Sequence, residues 1–181
     1  MMVKTIFAGF GGQGVLMMGY TLAHGAMNAG FNVTYLPSYG AEVRGGTANC
    51  TVAVSDEEIA SPIASEPHHA VIMNTPSLYT FQTRVASGGT LFLNASIINV
   101  EPSRHDVCVL KIPAADIASG LGNTRAANTV MLGAFLKKTG LFAPDIFLNS
   151  LQEVLGGKKK SVAELNEKAF RAGYEFTEAS R

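Results

Sequence analysis

A glycine-rich loop, Gly9-Phe10-Gly11-Gly12-Gln13-Gly14, stands between a strand-like run and a helix-like segment, and it constrains the fold more than any other feature. Val3 to Ala8 is short, apolar and partly β-branched, which reads as a buried strand running into a turn at Gly9. From Val15 to Asn28 the apolar residues Leu16, Leu22, Ala23, Ala26 and Met27 recur at helical spacing, and Gly30 ends that helix. Phe31 to Leu36 reads as a second strand. Such a β-loop-α-β unit predicts two parallel strands with a right-handed connection.

The alternation continues along the chain. After a loop from Pro37 to Gly46, the Thr- and Val-rich run Thr47 to Ser55 reads as a strand closing on Asp56-Glu57-Glu58. Ala70 to Met73, Thr90 to Leu93 and Val107 to Ile112 read as further short strands. Pro76 to Ala86 is predicted helical, with Pro76 at the first position and Thr75 as its cap. Three helices follow, at Asn123 to Lys138, Pro144 to Leu155 and Ser161 to Glu178, and Ser161 with Glu164 has capping-box spacing. The expected fold class is α/β: a three-layer Rossmann-like domain with a mainly parallel sheet and a helical C-terminal part. With no internal repeat, linker or low-complexity tract, residues 1–181 are read as one domain.

Composition narrows the function classes. Apolar residues make up 47% and charged residues 15%, which excludes a disordered chain and predicts a charge-poor surface partly covered by another subunit. The formal net charge is zero, so the basic footprint that nucleic-acid binding requires is missing. Lys158-Lys159-Lys160 follows Gly156-Gly157 and reads as a solvated inter-helix loop. Cys50 and Cys108 have apolar or β-branched neighbours and read as small buried hydrophobes in a reducing compartment, with a single disulfide left open. No apolar run approaches about 18 residues, and glycines interrupt the N-terminal stretch that a signal segment would need. The chain is therefore expected to be cytoplasmic, with no membrane span.

The first glycine loop matches G-x-G-x-x-G, follows a strand and opens a helix. Glycine lets a ligand or another backbone approach closely, and a helix N-terminus offers free N–H groups and a positive dipole end. A nicotinamide site would also need an acid at the tip of the second strand, and that tip reads Tyr35-Leu36-Pro37-Ser38. The plainer alternative is that these glycines serve only helix–strand packing. The second loop, Ser38-Tyr39-Gly40-Ala41-Glu42-Val43-Arg44-Gly45-Gly46-Thr47, is expected at the same carboxyl edge of the sheet, where open α/β sheets bind ligands. Glu42 and Arg44 stand two apart, so on an extended segment they share a side and could pair or receive a polar group. Their plainer role is to hold the loop in shape. Asn49 adds a polar group near that edge. The candidate binding residues are thus Gly9, Gly11, Gly12, Gln13, Gly14, Ser38, Tyr39, Gly40, Glu42, Arg44, Gly45, Gly46 and Asn49, with no catalytic residue and no metal ligand assigned.

The pattern G-F-G-G-Q-G-V at Gly9 to Val15, with S-Y-G-A-E-V-R-G-G-T-A-N-C at Ser38 to Cys50, resembles the gamma subunit of 2-oxoacid:ferredoxin oxidoreductases. The likeness continues through Val54-Ser55-Asp56-Glu57-Glu58-Ile59, Ser61-Pro62, Met73-Asn74 and Pro76-Ser77-Leu78. It reaches Asn128, Met131-Leu132-Gly133-Ala134 and Leu165-Asn166 in the C-terminal half. The second-loop motif is most similar to the 2-oxoglutarate-type enzymes, while pyruvate, branched-chain and indolepyruvate relatives share the framework. The resemblance implies a complex that converts a 2-oxoacid, coenzyme A (CoA) and oxidised ferredoxin to acyl-CoA, carbon dioxide and reduced ferredoxin. It implies thiamine diphosphate with magnesium, iron–sulfur clusters, and alpha-, beta- and delta-type partner subunits.

The residues themselves say that this chain cannot perform that chemistry alone. A four-iron cluster takes about four cysteines, and the chain has 2. No Asp follows a Gly, so the Gly-Asp-Gly start of a thiamine-enzyme metal site is missing, as are a G-x-S-x-G elbow and a Walker motif. His24, His68, His69 and His105 lack metal-ligand spacing. The two loops are therefore expected to face the thiamine-binding subunit and to help form a CoA docking surface. A stand-alone nucleotide-binding α/β protein and a purely structural interface subunit are the competing readings.

Overall fold

The computed structural model describes residues 1–39, 47–156 and 160–176, with Tyr39 described by its backbone alone. Its sheet holds β1 (Met2–Phe10), β2 (Asn32–Tyr39), β3 (Thr47–Ser55), β4 (His69–Ile72), β5 (Thr90–Asn94) and β6 (Cys108–Ile112) in the order β2-β3-β1-β4-β5-β6. β1, β4, β5 and β6 run parallel, and β3 is antiparallel to both β1 and β2. The two first strands share a direction, as expected, but are not neighbours: β3 lies between them. A long Thr/Val strand that can pair on both sides completes two ladders there.

Helices α1 (Val15–Asn28), α3 (Ala114–Gly120), α4 (Ala127–Thr139), α5 (Pro144–Val154) and α6 (Lys160–Glu175) build the larger core against one face of the sheet. That face presents Phe7, Cys50, Val52, Val71 and Phe92. Phe92 and Phe135 stand 5.3 Å apart between sheet and α4, and Phe147 stacks on Phe170 at 4.5 Å between α5 and α6. On the opposite face Ile6, Ala8, Ala70, Ile72, Leu91 and Leu93 pack under α2 (Thr75–Phe81). Strands buried on both faces explain the near-continuous apolar runs, and the three layers follow.

Several local expectations are corrected. The cap of α2 is Asn74, whose side-chain oxygen accepts the Ser77 N–H at 2.9 Å, and Thr75 is already helical. That helix ends at Phe81 and tightens into a 3-10 turn, Gln82–Arg84, before Val85 turns extended. A 3-10 turn, Thr124–Ala126, likewise precedes α4. α3 was not anticipated at all. Ser161 is inside α6 rather than its cap, and Lys158 and Lys159 lie outside the described residues. Met27 is 62% exposed rather than core. Both cysteines are free: Cys50 is buried as expected, whereas Cys108 is exposed on the edge strand β6. Three strands separate them in the sheet.

Candidate functional site

The antiparallel register of β1 and β3 sets Phe10 opposite Thr47 and Gly9 opposite Ala48, and β2 and β3 set Tyr39 opposite Ala48. The first loop therefore leaves, and the second is entered and left, at one carboxyl edge of the sheet. Gly40, Glu42, Arg44, Gly45 and Gly46 lie outside the described residues. Ser38 and Asn49 are register partners, on the sheet face of Ile6 and Ala8. α1 lies over the other face, so the candidate residues share an edge and not a face.

The turn after β1 is closed by Gln13 N–H donating to the Phe10 carbonyl at 3.1 Å. The Gln13 side chain is itself fully engaged. Its oxygen accepts from Phe10 N–H at 2.7 Å and from the Asn74 side-chain amide at 3.1 Å, and its nitrogen donates to the Met73 carbonyl at 3.2 Å. α1 rises over one face and α2 over the other, so the crevice between the ends of β1 and β4 is the topological switch point where such sheets hold ligands. Gln13 bridges that crevice. This protein-to-protein bonding, with no acid within β2 and β3 standing between β1 and β2, leaves the G-x-G-x-x-G spacing without the features of a dinucleotide site.

Two glycines of the loop have direct structural reasons. A Cβ on Gly9 would press on Val15 and Met73 at 2.8 Å, so glycine lets α1 start close against the strand ends. Gly14 caps α1 at φ +73°, a left-handed conformation, and a Cβ there would collide with the Asn128 side-chain amide. No side chain caps the first turn of α1 among the described residues, and no acid occupies that turn. Its amides and positive dipole end are open to an anion or a partner's carbonyl.

Beneath this turn, the Cys50 thiol donates to the Val15 carbonyl at 3.5 Å. Burial pushes that thiol up to about 12, only partly opposed by a Gly19 backbone hydrogen bond, so it stays protonated and plays a packing role. Asn74 is the residue that sequence reasoning missed as part of this edge. Its signal was an Asn directly before Thr75-Pro76, a helix-start pattern that admits either residue as cap. Among the described residues no group of three His, Cys, Asp or Glu could hold a metal ion. The cysteine count and strand separation also fail the ligand requirement of an iron–sulfur cluster. No described helix is long and apolar enough to cross a membrane.

The chain matches a known family across residues 4–176: it belongs to the pyruvate ferredoxin/flavodoxin oxidoreductase family. It is 40% identical over 176 residues to the ketoisovalerate oxidoreductase subunit VorA of Methanothermobacter thermautotrophicus, covering 96% of this chain and 36% of that protein. The chain thus spans about a third of the length of that relative. It is 34% identical to the 2-oxoglutarate synthase subunit KorC of Methanothermobacter marburgensis, covering 93% of each. Among solved structures, the gamma subunit of a keto/oxoacid ferredoxin oxidoreductase from Geobacter sulfurreducens superposes with a TM-score of 0.82 at 25% identity, covering 96% of both chains. The gamma-type resemblance and the α/β fold expected from the sequence both hold.

Proposed function

We propose that this chain is a gamma-type subunit of a thiamine-dependent 2-oxoacid:ferredoxin oxidoreductase. Its two-loop sheet edge faces the thiamine-binding chain and forms part of a CoA docking surface. The observation that carries the reading is the pairing of Phe10 with Thr47, which joins the entry of the first loop to the exit of the second beside the uncapped start of α1. Phe10, at the end of β1, stands exposed at the same edge, as a surface that another subunit covers would require.

The chain's own contribution is positional. It supplies open amides to phosphate or carbonyl oxygens and, through Gln13 and Asn74, a rigid rim. Thiamine diphosphate with magnesium and the iron–sulfur clusters belong to alpha-, beta- and delta-type partners, because the ligand residues they need are not here. In the cytoplasmic complex the product is acyl-CoA and the electrons pass to ferredoxin. The second-loop motif favours 2-oxoglutarate as the 2-oxoacid. A branched-chain 2-oxoacid is the second reading, favoured by the 40% identity to a ketoisovalerate subunit against 34% to a 2-oxoglutarate one.

The test is Arg44→Ala and Gly12→Ala in the reconstituted complex, with CoA affinity, turnover and assembly measured separately. A raised KM for CoA with intact assembly is expected. Loss of assembly alone would favour the purely structural interface, and no change in any of the three would overturn the proposal.

A further inference from the structure

One lateral end of the molecule is built by α1 and the edge strand β2, and it carries no formal charge. No Lys, Arg, Asp or Glu occurs from Thr5 to Ala41. By contrast α3, α4, α5 and α6 each carry at least one such residue. α1 turns Val15, Met18, Leu22 and Ala26 inward. Its outward stripe, at helical spacing, reads Leu16, Tyr20, His24 and Met27. Tyr20 is 48% exposed and Met27 62%, with Leu16 and His24 half-buried. Nothing lies beyond β2 in the sheet, and its Tyr35 meets this stripe.

Tyr20 is braced as well as exposed. Its ring stands edge-on to Tyr35 at 6.0 Å and tilted to His24 at 6.3 Å, and the Tyr35 hydroxyl donates to the Leu16 carbonyl at 3.1 Å. A half-exposed aromatic already held by its neighbours loses little freedom on association, which is what an interface anchor needs. The stripe also matches itself when run antiparallel. With a two-fold axis at the midpoint of α1, between Thr21 and Leu22, Leu16 meets Met27 of a second copy. Tyr20 then meets the small, buried Ala23 of that copy, so a large side chain faces a small one at the separation of about 8–10 Å that packed helices adopt.

We propose that two copies of this chain pair through the α1–β2 face about a two-fold axis. Such a contact sets each patch against itself, so a formal charge near the axis would face its like. The uncharged run from Thr5 to Ala41 removes that repulsion. A partner of different sequence would be selected by complementary charges, and this face offers none to read. Pro37, within β2, has no N–H to give and tells against a ladder continued into another strand. The copies therefore meet helix to helix. This pairing does not rest on the CoA docking reading, since it is detected without turnover and leaves the carboxyl edge of the sheet to the larger chains.

The experiment uses the full chain in its native assembly, with the exposed Cys108 replaced by serine and the buried Cys50 left in place. Leu16→Cys, Met27→Cys and the double variant are treated with a short bismaleimide under oxygen exclusion. The double variant is expected to yield a covalent pair of this chain, because position 16 opposes position 27 and not itself. Each single variant is expected to yield little. Adding Tyr20→Glu to the double variant is expected to abolish the product, since two carboxylates would then be buried close together. A cross-link to a different chain would overturn the proposal. So would no cross-link, equal cross-linking of the single variants, or a wild-type assembly that holds one copy of this chain by native mass spectrometry. If Tyr20→Glu does not fold, the cysteine variants and the copy number decide the matter. None of these results touches the KM for CoA, by which the docking edge is judged.

Discussion

The side-chain oxygen of Gln13 accepts a hydrogen bond from the Asn74 amide at 3.1 Å, tying the glycine loop before α1 to the cap of α2 across 61 residues of sequence. One amide thereby holds together the starts of two helices that lie on opposite faces of the sheet. The same Gln13 oxygen accepts from Phe10 N–H, and Asn74 in turn accepts from Ser77 N–H.

Gln13→Ala is expected to cost about 1–3 kcal/mol, because it leaves the Met73 carbonyl and the Asn74 amide without partners in a part-buried setting. Urea denaturation reads the loss. Gln13→Glu is expected to be at least as costly near neutral pH, since a carboxylate oxygen would face the Met73 carbonyl in place of the amide donor. A Gln13→Ala protein of unchanged stability would show that the bridge is incidental.

The packing of α4 on α6 yields a second prediction. A Cβ on Gly173 would strike the Val130 carbonyl, and one on Gly133 the Phe170 carbonyl, so the two backbones meet at these glycines. Gly173→Ala is expected to lose about 1–3 kcal/mol or more through overpacking. Because α6 carries the buried Phe170, the loss should appear as early release of that helix, read by amide hydrogen exchange. Uniform protection across α6 in the variant would contradict this.

Much of the architecture was legible because it rests on local pattern. Thr47 to Ser55 is bounded by Gly46 and Asp56 and proved to be β3 from end to end, and Val15 to Asn28 proved to be α1. Strand order was not legible. The run Thr47 to Ser55 says that a strand exists, but nothing in it says that it inserts between β1 and β2. α3 escaped because Ala114 to Gly120 is mostly small residues with Ile117 as its one large apolar side chain, too weak a period to read. Of the site, the common edge of the two loops followed from topology, but the Gln13–Asn74 bridge is a long-range side-chain contact with no local signature.

His69 gives a pH signature. Its imidazole packs edge-on to Phe135 at 5.8 Å and Phe92 at 6.1 Å, and its Nδ1 is buried without a partner. Burial first, then the charges of His68 and Lys138, lower its pKa from 6.5 to about 4. The unfolded chain therefore takes up this proton first, and stability falls as the pH drops from 6.5 towards 4, by about 3 kcal/mol. His69→Phe should flatten that window in denaturation measured across pH. The N-terminal ammonium on Asp56 and Arg104 on Asp106 hold those carboxyls below their usual range, so their contribution is lost at lower pH. A slope unchanged in His69→Phe would assign the effect elsewhere.

Cysteine labelling separates the two thiols. In the native chain, iodoacetamide near neutral pH should modify the exposed Cys108 and spare the buried, protonated Cys50, with both reacting in denaturant. Modification of Cys50 in the native state would mean that α1 lifts readily from β3.

The central claim is that this chain works only as one wall of a larger assembly. Affinity purification of the chain from its native cells, under oxygen exclusion, tests it most directly. The account predicts co-purifying larger chains with bound thiamine diphosphate and iron, and 2-oxoacid- and CoA-dependent reduction of ferredoxin. A stable lone monomer that carries neither and binds a dinucleotide tightly would contradict it.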